Sequence, residues 1–385
     1  MTTLGDLAIK NGIQTGPFGS QLHASDYTDH GVGVVMPQDL GENVVRPDAM
    51  ARVSAEIAAE LSRHRLQPGD IVFSRRGDVT RRSLIRDGDG ELLCGTGCLR
   101  VRLDPERADP MFVSYAMAMQ ESRDWLIRHA VGATMPNLNT GILSELPVRS
   151  PRLHVQRAVG EVLGSLDDKI ATNRRIVGAA DNLIRAQVTA RLVRPSQLWG
   201  ALDIVFGEAF KGDLFSAPGI GRALVRIRDL KSQKCQVWTT ERRPKEFEVQ
   251  PGTLLVGMDA EFRATRWSGP AGVLNQRVLA ASSDKYGPAI AREMLVAPLR
   301  RIERSKSGTT VIHLNKSDLL AEDVLLPVDS EVPALRALVD PIWDRAVAAE
   351  QESVRLASTR DELLPLLISG RITVKDAEKT VEEVV

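Results

Sequence analysis

Two rhythms of apolar residues alternate along the chain. After Ser150-Pro151, the residues Val159, Leu163, Leu166, Ile170, Val177, Ala180 and Ile184 recur in steps of four and three, with Asn173 taking a place on the same stripe. That spacing gives a long helix one apolar seam for a partner helix. Serine at the cap and proline in the first turn mark the start, and Pro195 stops the pattern. A helix of about 40 residues extends roughly 60 Å, too long for one small domain, so it is expected to bridge two. A second stripe begins near Val332-Pro333 and carries Leu335, Leu338, Ile342, Ala346, Ala349, Leu356 and Leu363. Pro341 predicts a kink or restart inside it, and Pro365 a perturbation near its end. An antiparallel pair is the economical arrangement. The pairing set is Val159, Leu163, Leu166, Ile170, Asn173 and Val177 on the first helix, with Leu338 and Ile342 on the second. Asn173 on the seam either fixes register or marks where the seam opens to solvent.

Between the helical stretches the pattern shortens to runs of two to five mainly apolar residues separated by turn residues, which read as strands. In the first half these are Val32–Met36, Ile71–Phe73 and Leu99–Leu103, with a helix expected over Asp109–Arg128. In the second half they are Leu224–Ile227, Leu254–Val256 and Val278–Leu279, with a helix over Ala289–Leu299. The halves also share words. Gly132-Ala133-Thr134 with Leu138-Asn139 returns as Gly308-Thr309-Thr310 with Leu314-Asn315, an offset of 176 (132 to 308). Gln67-Pro68-Gly69 returns as Gln250-Pro251-Gly252, an offset of 183 (67 to 250). A period this long is not a solenoid; it predicts two related domains and a pseudo-two-fold repeat. The expected architecture is α/β (α+β): two mixed domains at residues 1–150 and 196–330, helices at 151–195 and 331–385, the two helices antiparallel.

Composition narrows the class. The 385 residues are 43% hydrophobic and 26% charged, in the range of soluble globular proteins. No apolar run reaches the roughly 18 residues of a membrane span, so no membrane partner is expected. The N-terminal Met1-Thr2-Thr3-Leu4-Gly5-Asp6 lacks the basic start and apolar core of a signal peptide. Three cysteines make no disulfide framework, and a reducing cytoplasm is the expected compartment. Fifty basic and fifty acidic residues cancel, which argues against a protein held on nucleic acid by bulk charge alone. The basic residues are nevertheless clustered: Arg75, Arg76, Arg81 and Arg82; Arg226, Arg228, Lys231 and Lys234; Arg300, Arg301, Arg304 and Lys306. A solvated charged face explains such runs equally well.

No catalytic constellation is visible. The adenine-methyltransferase signature Asn-Pro-Pro-Tyr/Phe, a Rossmann glycine fingerprint, a P-loop and His-Glu-x-x-His are all missing. Cys94 and Cys98 flank Gly95-Thr96-Gly97, a spacing better suited to packing in a turn than to a metal, and His64, His129 and His313 stand apart from other ligands. Asp167-Asp168-Lys169 mimics the end of a nuclease motif but falls inside the long helix. The pattern describes a protein that binds and positions.

Taken in order, several segments resemble one family. They are Gly16-Pro17-Phe18-Gly19-Ser20-Gln21-Leu22 with Asp26-Tyr27, Pro68-Gly69-Asp70-Ile71-Val72, Gly132 to Leu138 and Leu146-Pro147. Gln156-Arg157 through Leu166-Asp167-Asp168-Lys169-Ile170 to Asn173-Arg174-Arg175 follows, then Gly207 to Phe210, Gly257-Met258-Asp259 and Leu274-Asn275-Gln276-Arg277. Over essentially the whole chain this order is similar to the specificity subunits of type I restriction-modification enzymes. Each motif alone is only moderately specific. One departure concerns the second helix start, Pro327-Val328-Asp329-Ser330, which has no counterpart of Gln156.

The resemblance implies two target-recognition domains that each read one half of a bipartite double-stranded DNA target, with the helices setting the gap. A rigid spacer fixes both separation and rotational phase along a duplex whose turn is about 34 Å. It also implies docking of two modification (methyltransferase) subunits and a possible restriction/translocase subunit. S-adenosylmethionine, ATP and Mg2+ then belong to those partners, and this chain binds no cofactor or metal and is no enzyme. Candidate DNA-binding residues are Ser20, Gln21, Ser74, Arg75 and Arg76 in the first domain, and Lys211, Arg226, Arg263, Asn275 and Arg277 in the second. Arginine grips guanine in bidentate fashion, and asparagine or glutamine adenine. Motif residues such as Asn275 and Arg277 have a competing reading as braces of the fold. A non-catalytic coiled-coil scaffold without DNA sequence preference, and a self-contained methylase or nuclease, are the rival readings.

Overall fold

The computed structural model describes residues 2–46, 50–132, 134–306 and 312–383. Ala133 and the repeat word Gly308-Thr309-Thr310 lie outside the described residues. The chain forms two compact units: Met1–Asp168 with Ala357–Val385, and Lys169–Leu356. Each therefore takes a share of both long helices, Leu153–Thr189 and Val332–Ser369.

The first unit holds two four-stranded sheets. One is antiparallel, in the order Ala8–Thr15, Cys98–Leu103, Ile71–Ser74, Arg82–Leu84. The other runs Tyr27–Thr28, Ala51–Val53, Val32–Val35, Leu92–Cys94, and its last pair is parallel. The second unit repeats both. Asp203–Phe206, Val278–Ser282, Leu254–Gly257 and Ala264–Arg266 reproduce the antiparallel sheet. Phe215–Ser216, Trp238–Thr239, Arg222–Val225 and Gly272–Leu274 reproduce the mixed one, with Glu248–Val249 added at its edge. Val34 pairs in parallel with Leu93 as Leu224 pairs with Val273. The duplication read from short words thus extends to strand order and register.

On the first long helix Val159, Leu163, Leu166, Ile170, Asn173, Ala180 and Ile184 are buried and Val177 is half-buried. Within the second unit the helices run antiparallel. Asn173 donates from Nδ2 to Glu352 Oε2 at 2.8 Å, whereas Ile184 and Val188 share a core with Leu335, Val339 and Trp343. Asn173 is fully buried, which decides for a register-fixing contact over an open seam.

Several local expectations need correction. Helix formation begins at Leu153, two residues beyond Pro151. The second helix passes through Pro341 and Pro365 without a break. Pro341 and Ala337, whose carbonyl loses its amide partner, are both exposed, so water can satisfy that group while buried Val339 and Trp343 hold the helix. The stripe there also shifts: Leu335 and Val339 are buried, Leu338 is 44% exposed, and Ile342 is partly buried against the core. Asp109–Arg128 is not one helix but two, Pro110–Ala116 and Gln120–His129. Ser122 Oγ donates to the Ala116 carbonyl at 3.0 Å, taking the acceptor that a continuing helix would use. Among the described residues no helix is long and apolar enough to cross a membrane.

Candidate nucleic-acid interface

In each unit the same four loops meet at one end of the strands of the antiparallel sheet, joined by the same backbone hydrogen bonds. In the first, Gly16 N–H donates to Cys98 O, Arg75 N–H to Gly97 O, Leu138 N–H to Arg75 O and Gly77 N–H to Pro136 O, at 2.8–3.1 Å. In the second, Gly207 N–H donates to Val278 O, Met258 N–H to Arg277 O, Leu314 N–H to Met258 O and Ala260 N–H to Ile312 O, again at 2.8–3.1 Å. The first loop crosses at glycine for a steric reason. A Cβ on Gly16 would stand 2.0 Å from the Gly95 carbonyl oxygen, and one on Gly207 2.0 Å from that of Asn275.

This correspondence assigns partners across the repeat. Arg75 matches Met258, Arg76 matches Asp259, and Gly97 matches Arg277. Arg277 accordingly sits in the left-handed region (φ 68°) that glycine occupies in the first unit (φ 87°). Arg76 forms an isolated bridge with Asn137, as Asp259 does with His313. The shared scaffold therefore presents different chemistry at matched places. In the second unit His313 Nδ1 lies 2.7 Å from Asp259 Oδ1, and Arg277 Nη1 lies 3.8 Å from the same oxygen.

The sequence candidates divide into outward and inward groups. Ser20, Gln21 and Arg76 are exposed on the first unit's loops, and Gln21 Oε1 accepts from Phe18 N–H at 3.3 Å and from Arg63 at 3.4 Å. Arg75 is half-buried, with its guanidinium 5.7 Å from the centre of the Phe18 ring. Lys211, Arg263 and Arg277 are exposed in the second unit, Arg263 pairing with Glu261 at 2.8 Å. Three face inward. Ser74 is buried and donates to Arg76 O at 2.8 Å, which braces the turn. Arg226 pairs with buried Asp229 at 3.3 Å, and Asn275 is buried where the first loop crosses.

The arginine clusters divide similarly. Arg82 is a core residue, donating to Ser114 O at 2.7 Å; burial first, then the neighbouring Arg123, pull its guanidinium down to about 10. Arg301 and Lys306 are paired with Glu322 and Asp318. Burial lifts the Cys94 thiol to about 12 and that of Cys98 well above its ordinary value, so both stay protonated. Among the described residues no three His, Cys, Asp or Glu side chains gather as metal ligands. Asp167, part of the nuclease-like triplet, is buried and holds Tyr115 and Arg360.

The helix start also has a structural account. Gln156 is buried, accepts from Asp109 N–H at 3.0 Å and donates to Pro151 O at 2.8 Å, tying the helix to the loop ahead of Pro110. The second start, without a glutamine, uses Arg336, which donates to Asp284 O and pairs with Asp340 at 2.9 Å.

Sequence reasoning passed over Phe18 as a functional residue. It is 52% exposed at a loop tip, and Val131 and Met135 on a neighbouring loop are 64% and 60% exposed. A large aromatic set between Pro17 and Gly19, outside any apolar rhythm, was the available signal.

A duplicated α/β scaffold that offers matched but chemically different loop surfaces defines a protein built from two related modules. A family model, the type I restriction modification DNA specificity domain, matches residues 37–177. The chain is 32% identical over 187 residues (46% of its length) to the type I restriction enzyme EcoBI specificity subunit of Escherichia coli. It is 28% identical over 78 residues (20% of its length) to the MjaIX specificity subunit of Methanocaldococcus jannaschii. These stretches span 38% and 18% of the two relatives' own length. In fold it is similar to the type I restriction-modification S subunit from M. genitalium, with a TM-score of 0.62 at 14% identity over 95% of this chain and 94% of that one. Residues 37–177 are thus similar to the DNA specificity domain of type I restriction-modification systems, and the chain as a whole shares the fold of a solved S subunit.

Proposed function

We propose that the chain is the DNA-reading subunit of a type I restriction-modification complex, each unit contacting one half of a bipartite target. The observation that carries this reading is the recurrence of one loop scaffold with different side chains at matched positions, Arg76–Asn137 against Asp259–His313, of which Arg76 and His313 are exposed. A protein that reads two unlike half-sites needs that combination of constant backbone and variable surface. Ser20, Gln21, Arg75 and Arg76 face DNA from the first unit, and Lys211, Arg263 and Arg277 from the second. Ser74, Arg226 and Asn275 act as loop braces.

The long helices set the spacing and dock two methyltransferase subunits, with a restriction/translocase subunit as a further partner. The chain itself is non-catalytic and cytoplasmic. S-adenosylmethionine, ATP and Mg2+ are bound by the partners, whose surfaces add phosphate contacts that this neutral chain does not supply alone. Single-molecule methylation sequencing of DNA from cells with and without the chain, the modification subunit present in both, tests the reading. A bipartite N6-methyladenine motif that disappears with the chain is the expected result. An active modification subunit that leaves no motif would favour the scaffold without sequence preference.

A further inference from the structure

The first loop of the first unit is longer than its counterpart, and the extra length carries an aromatic. Leu22 sits in a core with Val34 and Leu93, and Phe210 in one with Leu224 and Val273. Since Val34–Leu93 and Leu224–Val273 are matched strand pairs, Leu22 and Phe210 mark the same point. Leu22 follows Gly16 by six positions, whereas Phe210 follows Gly207 by three. The longer loop holds Phe18-Gly19-Ser20 away from the core: the space where a Cβ on Gly19 would point is empty for 4 Å.

The tip is built. Phe18 N–H donates to Gln21 Oε1, Gln21 N–H and Leu22 N–H donate to Phe18 O at 2.8 and 3.3 Å, and Thr96 Oγ1 donates to Pro17 O at 3.1 Å. Arg75 covers one face of the ring, while Phe18 as a whole stays 52% exposed. A rigidly held phenyl ring beside guanidinium groups, on a loop surface, has a flat apolar face to offer and positive charge to draw a polyanion. Apolar wedges set among basic residues enter DNA by unstacking a base step.

We propose that Phe18 is a wedge that enters the base stack of the half-site read by the first unit, steadied by Arg75. The shorter matching loop of the second unit, Gly207 to Phe210, carries no counterpart of Phe18. This rests on the DNA-reading assignment above and adds to it an asymmetry: one half-site is read on unstacked DNA and the other on stacked DNA. The base step that receives the ring is selected by its ease of unstacking, so specificity arises there without a hydrogen bond.

The test uses the chain assembled with its modification subunits and duplexes bearing its methylation motif. 2-Aminopurine replaces each adenine in turn and pyrrolocytosine each cytosine, so that every base pair is probed on one strand or the other. One step in one half-site should brighten on binding, with the other half-site dark. Phe18→Ala should abolish the brightening and weaken binding about 10- to 100-fold, the range found when a base-stacking aromatic is removed. Phe18→Trp should restore both. Sequence-selective binding with no bright step, or brightening that survives Phe18→Ala, overturns the wedge while leaving the DNA-reading assignment intact. A loss of binding on thymine-to-uracil replacement without brightening also overturns it, in favour of a methyl contact. A complex with no sequence preference at all would sink both readings.

Discussion

Arg266 offers the sharpest test of how the antiparallel sheet of the second unit is fixed to the helices. It lies on the edge strand Ala264–Arg266, with a side chain only 4% exposed. Its guanidinium makes a two-pronged contact with Glu350 of the second long helix, at 3.1 and 2.9 Å, and a third bond to Asp181 of the first, at 3.0 Å. Arg292, from the helix Gly287–Ser305, also grips Asp181, and both guanidinium groups lie over Trp343, at 4.9 and 5.3 Å. Burial alone would raise the Asp181 carboxyl, but Arg292 and Arg266 outweigh it and hold it below the usual range.

Replacing Arg266 by Met keeps much of the stem over Trp343 and removes only the charged fork. Breaking one side of a buried pair costs ~3–5 kcal/mol. Glu350 and Asp181 are 26% and 31% exposed, so water recovers part of that, and Arg292 still serves Asp181. The expected loss is about 3 kcal/mol, near the low end of that range. Urea unfolding followed by tryptophan fluorescence reads it, since Trp343 and Trp267 are both in this unit. Glu350→Gln and the double variant complete a cycle, with an expected coupling of about 2 kcal/mol. A loss under about 1 kcal/mol for Arg266→Met, or strict additivity in the cycle, would refute the claim that this cluster clasps sheet and helices together.

Three further outcomes follow from local geometry. Arg222 grips Glu246 at 2.7 and 2.9 Å and brings its carboxyl to about 2, against an ordinary 4.5. The pair's stabilisation is therefore complete above pH 4.5 and lost as pH falls toward 2, so the melting-temperature gap between wild type and Glu246→Gln should narrow across that window. A gap that stays constant from pH 6 to 3 would contradict the pairing. Gly207→Ala should cost about 1–3 kcal/mol in urea unfolding, because its Cβ would stand 2.0 Å from the Asn275 carbonyl oxygen. Gly19→Ala, pointing into open space, is the control and should stay close to neutral. Arg277→Gly relieves a left-handed backbone, and its stability should hold or rise by up to about 1 kcal/mol while DNA affinity falls. A clear loss of stability in that variant would instead make Arg277 a brace.

The helix seam was legible because periodicity is a local property and burial follows it: Leu163, Leu166, Ile170 and Ile184 are all at or below 5% exposure. Leu338 was misread because Leu338 and Val339 are both apolar and the sequence cannot say which one faces the core. Contacts from distant elements decide it, as Val339 joins Leu254, Met294 and Trp343 in one cluster. The break after Ala116 was hidden for a similar reason, since it depends on where Ser122 finds an acceptor.

The candidate interface was legible in its backbone and much less in its side chains, and the repeat explains why. Residues that recur, such as Gly16 with Gly207 and Leu138 with Leu314, sit where the loops cross and bond to one another. They announce themselves by recurring, yet a recurring residue cannot distinguish two half-sites. The places where readout can differ are those where the repeat fails: Arg76 against Asp259, Asn137 against His313, and Phe18 against a loop three residues shorter. Ser74 drew attention as a polar residue beside a motif and Asn275 as a member of one, and both proved to face inward. Phe18 stood in the sequence only as one member of the Gly16 to Leu22 motif, and its exposure appears only in the fold. On the proposed DNA-reading function, agreement between the halves locates the scaffold, and disagreement at matched positions is where specificity would lie.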